Sequence, residues 1–263
     1  MPSWRLSLLD AWLAPAPDPA RVAWLMRGEY AHRGLHSEAV VENSPAAFTA
    51  AIERGMGIEC DVQLAGDGRA MVFHDWELDR LTGERGPVAR RTAAALGQIA
   101  LGQSGEGIPT LGELLTLVAG QVPVLIEIKS RREVRPGPLC RAVLGDLEDY
   151  RGKVAVMSFD PRVGGWFRRH APAVLRGLVV TEENDRGSSG AIRRRLALWR
   201  AAPDFLAYDV RDLPGPFPIA QMKRGLPLLT WTVRTPAQRL VADLNAHAPI
   251  VEGEGVAPAS TPL

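Results

Sequence analysis

The chain has 263 residues, 46% of them hydrophobic, which is enough to bury a large core. Its 31 basic and 30 acidic residues leave a formal net charge of +1, a balance that gives no support to nucleic-acid binding or to polybasic membrane binding. The two cysteines have no metal-ligand spacing, and nothing about them requires an oxidising compartment.

The N-terminal segment, residues 1–27, lacks a basic region followed by an unbroken apolar stretch and a small-residue cleavage site. We therefore do not interpret it as a signal peptide. No run of about 18 apolar residues predicts a membrane-spanning helix. The simplest expectation is a soluble cytoplasmic protein.

Short apolar runs alternate with helix-like segments along the chain. Strands are predicted at 29–34, 57–62, 124–129, 154–160, 175–181, 205–210, 226–233 and 249–253. Helices are predicted between them, at 44–54, 110–119, 138–149, 161–170, 189–201, 218–224 and 235–246. Ser44 and Thr235 each precede a proline and an apolar segment, which is typical of a helix N-cap, and Thr110 with Glu113 fits a capping box.

This alternation of strands and helices predicts a parallel sheet. Eight strands close a barrel, whereas a doubly wound sheet usually has fewer strands and a glycine-rich first turn, which this sequence lacks. We therefore predict an α/β fold, a (β/α)8 TIM barrel, with residues 1–263 forming a single domain.

A further strand-like run at 71–75 would make a ninth strand. It follows the second strand through Ala65-Gly66-Asp67-Gly68, in which Asp-Gly is a hairpin signal. A hairpin return is antiparallel, so this run is not predicted to be a strand of the parallel barrel. We therefore interpret residues 63–109 as a small insertion after the second strand.

Two carboxylates are predicted on one face of the second strand. Glu59 and Asp61 are separated by one residue, and alternate strand side chains point the same way. Buried together they would repel each other unless a cation lay between them. Because hard cations favour oxygen ligands, that cation would be Mg²⁺ or Ca²⁺. The alternative is a carboxylate pair neutralised by arginines.

His32 and Arg33 end the first strand, where barrel active sites form, and Glu42 follows them before the first helix. A His-Arg pair at a strand end is common, and Glu42 could simply cap the helix. We therefore treat these three residues as candidates for the site.

His74 ends the hairpin return, where the alternative interpretation is a surface histidine. Glu127 and Lys129 lie on one face of the third barrel strand, where the alternative is an internal ion pair. All the candidates together combine oxygen ligands, imidazoles and cations. That set suits phosphodiester hydrolysis, because a metal and basic groups offset phosphate charge while histidines move protons near neutral pH.

The order of these motifs resembles the glycerophosphodiester phosphodiesterase family. The motifs are His-Arg-Gly, Glu-Asn-Ser, Glu-x-Asp-Val, Asp-Gly, His-Asp, Glu-Ile-Lys, Ser-Phe and Trp-Thr-Val, and they run from about residue 29 to 253. The resemblance implies a phospholipase-C-like TIM barrel that binds one divalent cation, Mg²⁺ or Ca²⁺, and carries an insertion after its second strand.

By position, the resemblance also implies a role for each candidate. Metal ligands would be Glu59, Asp61 and Glu127, and the acid/base pair would be His32 and His74. Substrate contacts would come from Arg33 and Lys129 at the phosphate, from Glu42 at the wall of the site, and from Trp231, an aromatic that shapes the pocket.

The chain departs from the family pattern at three places. Many relatives have Thr-Lys-Asp-Gly where this chain has residues 65–68, Asn where it has Arg234, and Ile-Thr-Asp where it has Val251-Glu252-Gly253. None of these changes removes a ligand or a histidine. They bear on substrate preference, and we expect Arg234 to be a solvated loop residue rather than a head-group contact.

The reaction that the resemblance implies is hydrolysis of glycerophosphodiesters to sn-glycerol 3-phosphate and an alcohol, with the neighbouring glycerol 2-hydroxyl as nucleophile. One alternative is a lysophospholipase D-like or phosphoinositol-type phosphodiesterase on the same barrel. The apolar N-terminal side chains could then make weak membrane-surface contact, although we expect them to pack against the barrel bottom: Trp4, Leu8, Leu9, Trp12 and Leu13. The other alternative is a catalytically silent barrel that binds phosphate esters.

Overall fold

The computed structural model describes residues 3–183 and 185–258, with side chains described from residue 8 onward. Its strands are, in chain order, β1 (Tyr30–Ala31), β2 (Gly57–Leu64), β3 (Ala70–Val72), β4 (Val124–Ile128), β5 (Val154–Ser158), β6 (Leu175–Val180), β7 (Phe205–Asp209), β8 (Leu228–Val233) and β9 (Ala248–Val251).

Eight of these strands close a parallel barrel. Each pairs in parallel with the next, β3 excepted, and β9 returns to β1 through the pairs Tyr30–Ile250 and Ala31–Val251. The predicted (β/α)8 barrel is therefore confirmed. In a barrel of this kind the carboxyl ends of all the strands meet at one rim, which places the residues that follow them close together.

The helices predicted between the barrel strands are present, and in the described residues three further helices lie before β1 or within the insertion. The helices are α1 (Ser3–Leu13), α2 (Pro19–Val22), α3 (Pro45–Glu53), α4 (Ala93–Leu96), α5 (Leu111–Val118), α6 (Gly137–Leu147), α7 (Pro161–His170), α8 (Ser188–Ala201), α9 (Pro216–Lys223) and α10 (Pro236–Asn245). The predicted caps are present: Ser44 accepts from Ala47 N at 3.1 Å, and Thr110 forms a capping box with Glu113.

Alternate residues of the strands face two different cores. Ile58, Cys60 and Val62 of β2 pack outward against the helices. The opposite faces of the strands, including Leu125 and Phe205, fill the barrel interior. Glu59 and Asp61 share their face with the barrel interior, and this is the orientation that the alternation predicts.

The N-terminal end of the barrel is closed by the segment just before β1. Val22 and Leu25 join the interior cluster, and the Tyr30 hydroxyl donates to the Leu25 carbonyl oxygen at 3.2 Å. A 3-10 turn (Ala23–Met26) places these side chains under the strands. Apolar residues thus close the N-terminal end of the barrel, so polar site residues can lie only at the opposite end.

Helix α1 packs against the C-terminal halves of α8 and α9, and Ala14 just after it joins a cluster with Leu226 and Leu228 at the start of β8. The expected packing of its apolar side chains against the barrel bottom stays a prediction. Asp10 accepts from Arg195 Nε at 3.1 Å, from Trp199 Nε1 at 2.7 Å and from Gln221 Nε2 at 3.2 Å, which holds α1 against α8 and α9. Leu8 and Trp12 remain 63% and 78% exposed. The side chain of Trp4 lies outside the described residues. Among the helices described, none has the length and apolarity needed to cross a membrane.

The insertion after β2 begins with the predicted hairpin. Strand β3 pairs antiparallel with β2, through Val62–Val72, Gln63–Met71 and Leu64–Ala70. Gly68 has a φ of 87°, the left-handed conformation that its Asp-Gly turn requires. The rest of the insertion packs over a small core of its own that includes Phe73, Leu78 and Leu101. The insertion is therefore a separate packing unit beside the barrel rim.

Candidate active site

Three carboxylates converge at the carboxyl ends of β2 and β4. Asp61 and Glu127 are direct neighbours in the pairing of the two strands, and Glu59 lies two residues before Asp61 on the same face. Oxygen atoms of all three lie within 4.8 Å of one another. Glu59 and Asp61 are almost fully buried. The structure therefore brings together all three predicted metal ligands.

Two cationic side chains accompany these carboxylates. Lys129 Nζ lies 3.1 Å from Asp61 Oδ1 and 3.1 Å from Glu127 Oε1. Arg33 Nε lies 3.2 Å from Asp61 Oδ2, and the backbone N–H of Arg33 donates to Glu59 Oε2 at 3.1 Å. Three carboxyl groups thus face two cations, so neutralisation by basic side chains, the alternative raised by the sequence, is incomplete when all three are ionised.

The pKa values of Glu59 and Asp61 are shifted in opposite directions. Burial raises the pKa of Glu59 well above its usual value, and the charges of Asp61 and Glu127 raise it further. Burial also opposes ionisation of Asp61, but Lys129 and Arg33 lower its pKa below the usual value. An all-oxygen donor set that retains unbalanced negative charge fits a hard divalent cation such as Mg²⁺ or Ca²⁺.

His32 follows β1 directly and is held at both its backbone and its ring. Its backbone N–H donates to the Val251 carbonyl oxygen at 2.9 Å, and its ring Nδ1 is hydrogen-bonded to Glu252 Oε2. A carboxylate at Nδ1 favours the tautomer that carries its proton there, which leaves Nε2 for chemistry. Burial lowers the pKa of His32, although the hydrogen bond to Glu252 acts in the opposite direction.

His74 lies just after β3, on the insertion. Its Nδ1 is 2.6 Å from Asp75 Oδ1, so a second carboxylate orients the second imidazole. Burial lowers the pKa of His74, and hydrogen bonds from Arg80 lower the pKa of Asp75 to about 2. His74 lines a cleft of about 380 Å³, together with Lys129.

Glu42 joins the insertion to the barrel. Arg33 Nη1 and Arg80 Nη2 each donate to Glu42 Oε1 at 2.7 Å. Glu42 does not cap the following helix, because that role belongs to Ser44. Its partners here are arginines, and its role at the wall of the site stays a prediction.

Trp231 lies on β8 and packs against the barrel-interior cluster. Its Nε1 donates to the Ala207 carbonyl oxygen at 2.9 Å, which fixes the indole plane. The ring of Phe159, which is 45% exposed, meets it edge-on with centroids 5.3 Å apart. The two rings form an aromatic wall at the mouth of the barrel.

Four polar residues of the site were not among the predicted candidates. Glu252 follows the last barrel strand directly. This position at the carboxyl end of a strand is the sequence feature that could have identified it as a site residue. Asp75 stands next to a predicted histidine. Asn43 Nδ2 donates to Asp61 Oδ2 at 3.1 Å, and Arg80 binds both Glu42 and Asp75. No local sequence pattern distinguishes Arg80 from the other arginines of the insertion.

Arg234 is exposed, as expected for a loop residue, but it is not free in solvent. Its Nε donates to Glu252 Oε1. Two of the departures from the family pattern, at 234 and 252, are therefore partners in one ion pair.

The chain is similar in sequence and in fold to known phosphodiesterases. A glycerophosphodiester phosphodiesterase from Caldanaerobacter subterraneus is 36% identical over 158 residues, which are 57% of this chain and 65% of that relative's length. A glycerophosphodiester phosphodiesterase from Thermotoga maritima superposes with a TM-score of 0.69 and 25% identity, covering 85% of this chain and 93% of that one. A phosphodiesterase from Oleispira antarctica, solved in complex with the product sn-glycerol-3-phosphate, has a TM-score of 0.74 and 22% identity, covers 86% and 93% of the two chains, and shares the fold.

The family model of the glycerophosphoryl diester phosphodiesterases matches residues 32–252. That span begins at His32, ends at Glu252 and contains every predicted site residue. The chain belongs to the glycerophosphoryl diester phosphodiesterase family.

Proposed function

We propose that this protein is a metal-dependent glycerophosphodiester phosphodiesterase, which releases sn-glycerol 3-phosphate and an alcohol. The proposal rests on one observation. A cluster of three carboxylates lies at the same barrel rim as two imidazoles, and each imidazole has a carboxylate at its Nδ1. The sn-glycerol-3-phosphate bound to the Oleispira antarctica phosphodiesterase, which shares the fold, supports the choice of substrate class.

Glu59, Asp61 and Glu127 would hold one divalent cation, Mg²⁺ or Ca²⁺. When bound, the cation would act as a Lewis acid toward the phosphoryl oxygens. Asn43 keeps Asp61 oriented through its 3.1 Å hydrogen bond, and Lys129 keeps Asp61 and Glu127 together.

Arg33 and Lys129 offset the charge of the substrate phosphate. The Lys129 ammonium has three donors, and contacts to Asp61 and Glu127 occupy two of them. The Arg33 guanidinium has five, of which those at Nε and Nη1 face Asp61 and Glu42. Both side chains therefore retain N–H groups that can reach the non-bridging oxygens as the transition state forms.

His32 and His74 act as the acid/base pair. One Nε2 accepts the proton of the glycerol 2-hydroxyl as its oxygen bonds to phosphorus, and the other Nε2 donates a proton to the departing alkoxide as that P–O bond breaks. The product is a five-membered cyclic phosphate, which water opens with the two roles reversed. The neighbouring hydroxyl is favoured as nucleophile because its effective concentration at phosphorus is high. The Trp231–Phe159 wall bounds the pocket in which the glycerol would lie.

A second candidate function, lysophospholipase D-like cleavage of lysophospholipids, is favoured by one observation. An apolar cavity of about 370 Å³ adjoins the cleft that His74 and Lys129 line, and it shares Trp76, Lys129 and Arg131 with that cleft. Val134 and Leu139 are among its lining residues. A cavity of this chemistry beside Lys129 could take the first carbons of an acyl chain.

Turnover on a matched pair of substrates tests both functions. We expect release of glycerol 3-phosphate from glycerophosphocholine with Mg²⁺ or Ca²⁺, at a higher kcat/KM than choline release from lysophosphatidylcholine. A reversed preference, lost when Val134→Asp places a charge at the exposed side of the apolar cavity, would support the second function. Tight binding of cation and diester without turnover of either substrate would identify a silent phosphate-ester-binding barrel and overturn both.

A further inference from the structure

One carboxylate oxygen at the barrel rim faces two histidine rings. Glu252 Oε2 is hydrogen-bonded to His32 Nδ1 and lies 3.5 Å from His36 Nε2. The other oxygen of the same carboxylate, Oε1, accepts from Arg234 Nε. Arg234 thus fixes the carboxylate, and Oε2 stays directed at the two imidazoles.

The His36 ring is held in this position without a strong hydrogen bond of its own. Its Nε2 is shielded from solvent, and in the described part of the chain it has no hydrogen-bond partner. The 3.5 Å separation from Glu252 Oε2 is at the long limit for a hydrogen bond. A buried imidazole nitrogen with an unused lone pair is costly unless something binds it.

The three atoms form a compact nitrogen and oxygen donor set. His32, His36 and Glu252 each place one ligand atom within 4.8 Å of the others, and Glu252 Oε2 faces His32 Nδ1 and His36 Nε2. Zn²⁺ lies about 2.0–2.2 Å from such atoms, so two ligands of a tetrahedral site are roughly 3.3 Å apart. The His36–Glu252 distance of 3.5 Å is close to that edge. When a metal replaces the proton between them, the His32 and Glu252 ligand atoms would move apart to about the same separation.

The chemistry of this set differs from that of the carboxylate cluster. Glu59, Asp61 and Glu127 offer oxygen alone, which suits Mg²⁺ or Ca²⁺. Two imidazoles with one carboxylate instead suit Zn²⁺ and its neighbours in the first transition series, with water as the fourth ligand. The barrel rim therefore carries two sets of metal-ligand atoms that prefer different cations.

We propose that His32, His36 and Glu252 form a second, inhibitory metal site for Zn²⁺ or a related transition-metal dication. The metal displaces the proton on His32 Nδ1 and binds that nitrogen, so the neutral ring carries its remaining proton on Nε2. The ring then neither accepts a second proton nor readily gives up the one it has. Metal binding therefore stops proton transfer by His32, whichever step it serves. The inhibition rests on the proposed function, whereas the metal site does not.

Zinc binding is measured directly by titration calorimetry on tag-free protein saturated with Ca²⁺. We expect the wild type to bind one equivalent of Zn²⁺ and His36→Ala to lose that binding. His170→Ala, which removes a histidine on α7, is the matched control and should bind as the wild type does. Equal Zn²⁺ affinity and stoichiometry in the wild type and His36→Ala would overturn the site.

Turnover with glycerophosphocholine measures the inhibition. Without Zn²⁺, His36→Ala should retain wild-type kcat, and added Zn²⁺ should inhibit the wild type and His170→Ala but not His36→Ala. Zinc bound through His36 with no loss of wild-type turnover overturns the inhibitory role. If no variant turns over any diester, the proposed function fails, and the calorimetry still decides the metal site.

Discussion

The guanidinium of Arg80 lies 2.7 Å from the carboxylate of Glu42, and this contact joins the insertion to the barrel. Arg80 also donates to Asp75, the residue that orients His74, while Arg33 donates to the same Glu42 oxygen. A continuous chain of charged groups therefore runs from the barrel cation Arg33 to the imidazole of the insertion. This chain links His74 to the barrel in addition to the backbone pairing of β3 with β2 and the hydrogen bond from Phe73 N–H to the Asp61 carbonyl oxygen.

Replacing Arg80 tests that linkage. We expect Arg80→Gln to lower kcat by roughly 10- to 100-fold, because small misplacement of a catalytic group is costly. Stability should change little, since Arg80 is 47% exposed and exposed ion pairs contribute about 0–1 kcal/mol. Steady-state kinetics and thermal melts measure the two effects. Arg91→Gln is the matched control, since Arg91 bonds Glu84 at 3.1 Å on the surface of the same insertion. A wild-type kcat in Arg80→Gln would contradict the linkage.

Removing either imidazole should abolish most activity while leaving the fold intact. His32→Ala and His74→Ala each lose one proton-transfer group, and such groups contribute about 10²- to 10⁴-fold to the rate. The measurement is kcat for glycerophosphocholine with saturating cation, with circular dichroism to verify the fold. If both variants turned over at the wild-type rate, the assignment of the acid/base pair would be wrong.

The pH dependence of Glu252→Gln should identify the step that His32 serves. Burial lowers the pKa of His32, and the hydrogen bond to Glu252 raises it. A neutral amide stabilises the protonated ring less, so the pKa of His32 falls and the limb of the kcat–pH profile that it sets moves to lower pH. We also expect kcat to fall at least about tenfold, because the amide can present N–H to Nδ1 and favour the wrong tautomer.

The shifted limb assigns the role: the acid limb moves if His32 is the base, and the alkaline limb moves if it is the acid. Nitrogen chemical shifts of the His32 ring report the tautomer independently of turnover. Glu254→Gln, in the same exposed turn, is the control. A profile and ring spectrum identical to that control would sink the orienting role of Glu252.

Much of this site follows from local sequence patterns. The strict alternation of side chains in β2 places Glu59 and Asp61 on one face, and the short Asp-Gly turn places the His74 strand beside β2 in antiparallel order. Because barrel strands end at one rim, residues that follow different strands are brought together without any further information. Each of these inferences uses only residues that are neighbours in the chain, or the strand-and-helix unit that repeats around the barrel.

The remaining partners depend on contacts that no local pattern encodes. Glu252 meets His32 across 220 positions of sequence, and Arg80 meets Glu42 across 38. Whether an arginine of the insertion points to the barrel or to solvent depends on how the small core around Phe73 and Leu78 packs on the rim. The contacts of α1 are of the same kind, since Asp10 meets Arg195 across 185 positions of sequence.

The carboxylate cluster should lower the stability of the metal-free protein and raise it when a cation binds, and Glu59→Gln should separate these two effects. In the absence of metal, burial and like charges raise the pKa of Glu59. An acid with a raised pKa binds more protons in the folded than in the unfolded state, so its contribution to the free energy of unfolding falls as pH rises from the unfolded to the folded value. Glutamine removes that penalty, and its carbonyl oxygen can still accept from the Arg33 N–H.

In EDTA at neutral pH, Glu59→Gln should therefore melt higher than the wild type, by roughly 2–4 °C for each kcal/mol of relieved repulsion in a domain of this size. With saturating Mg²⁺ or Ca²⁺ the order should reverse, because only the wild type gains stability from binding the ion. The variant should also lose cation-dependent turnover. Glu53→Gln, at the exposed end of α3, should match the wild type in both melts. A lower melting temperature for Glu59→Gln in EDTA would mean that the carboxylate is stabilising without metal, contrary to a cluster built to hold a cation.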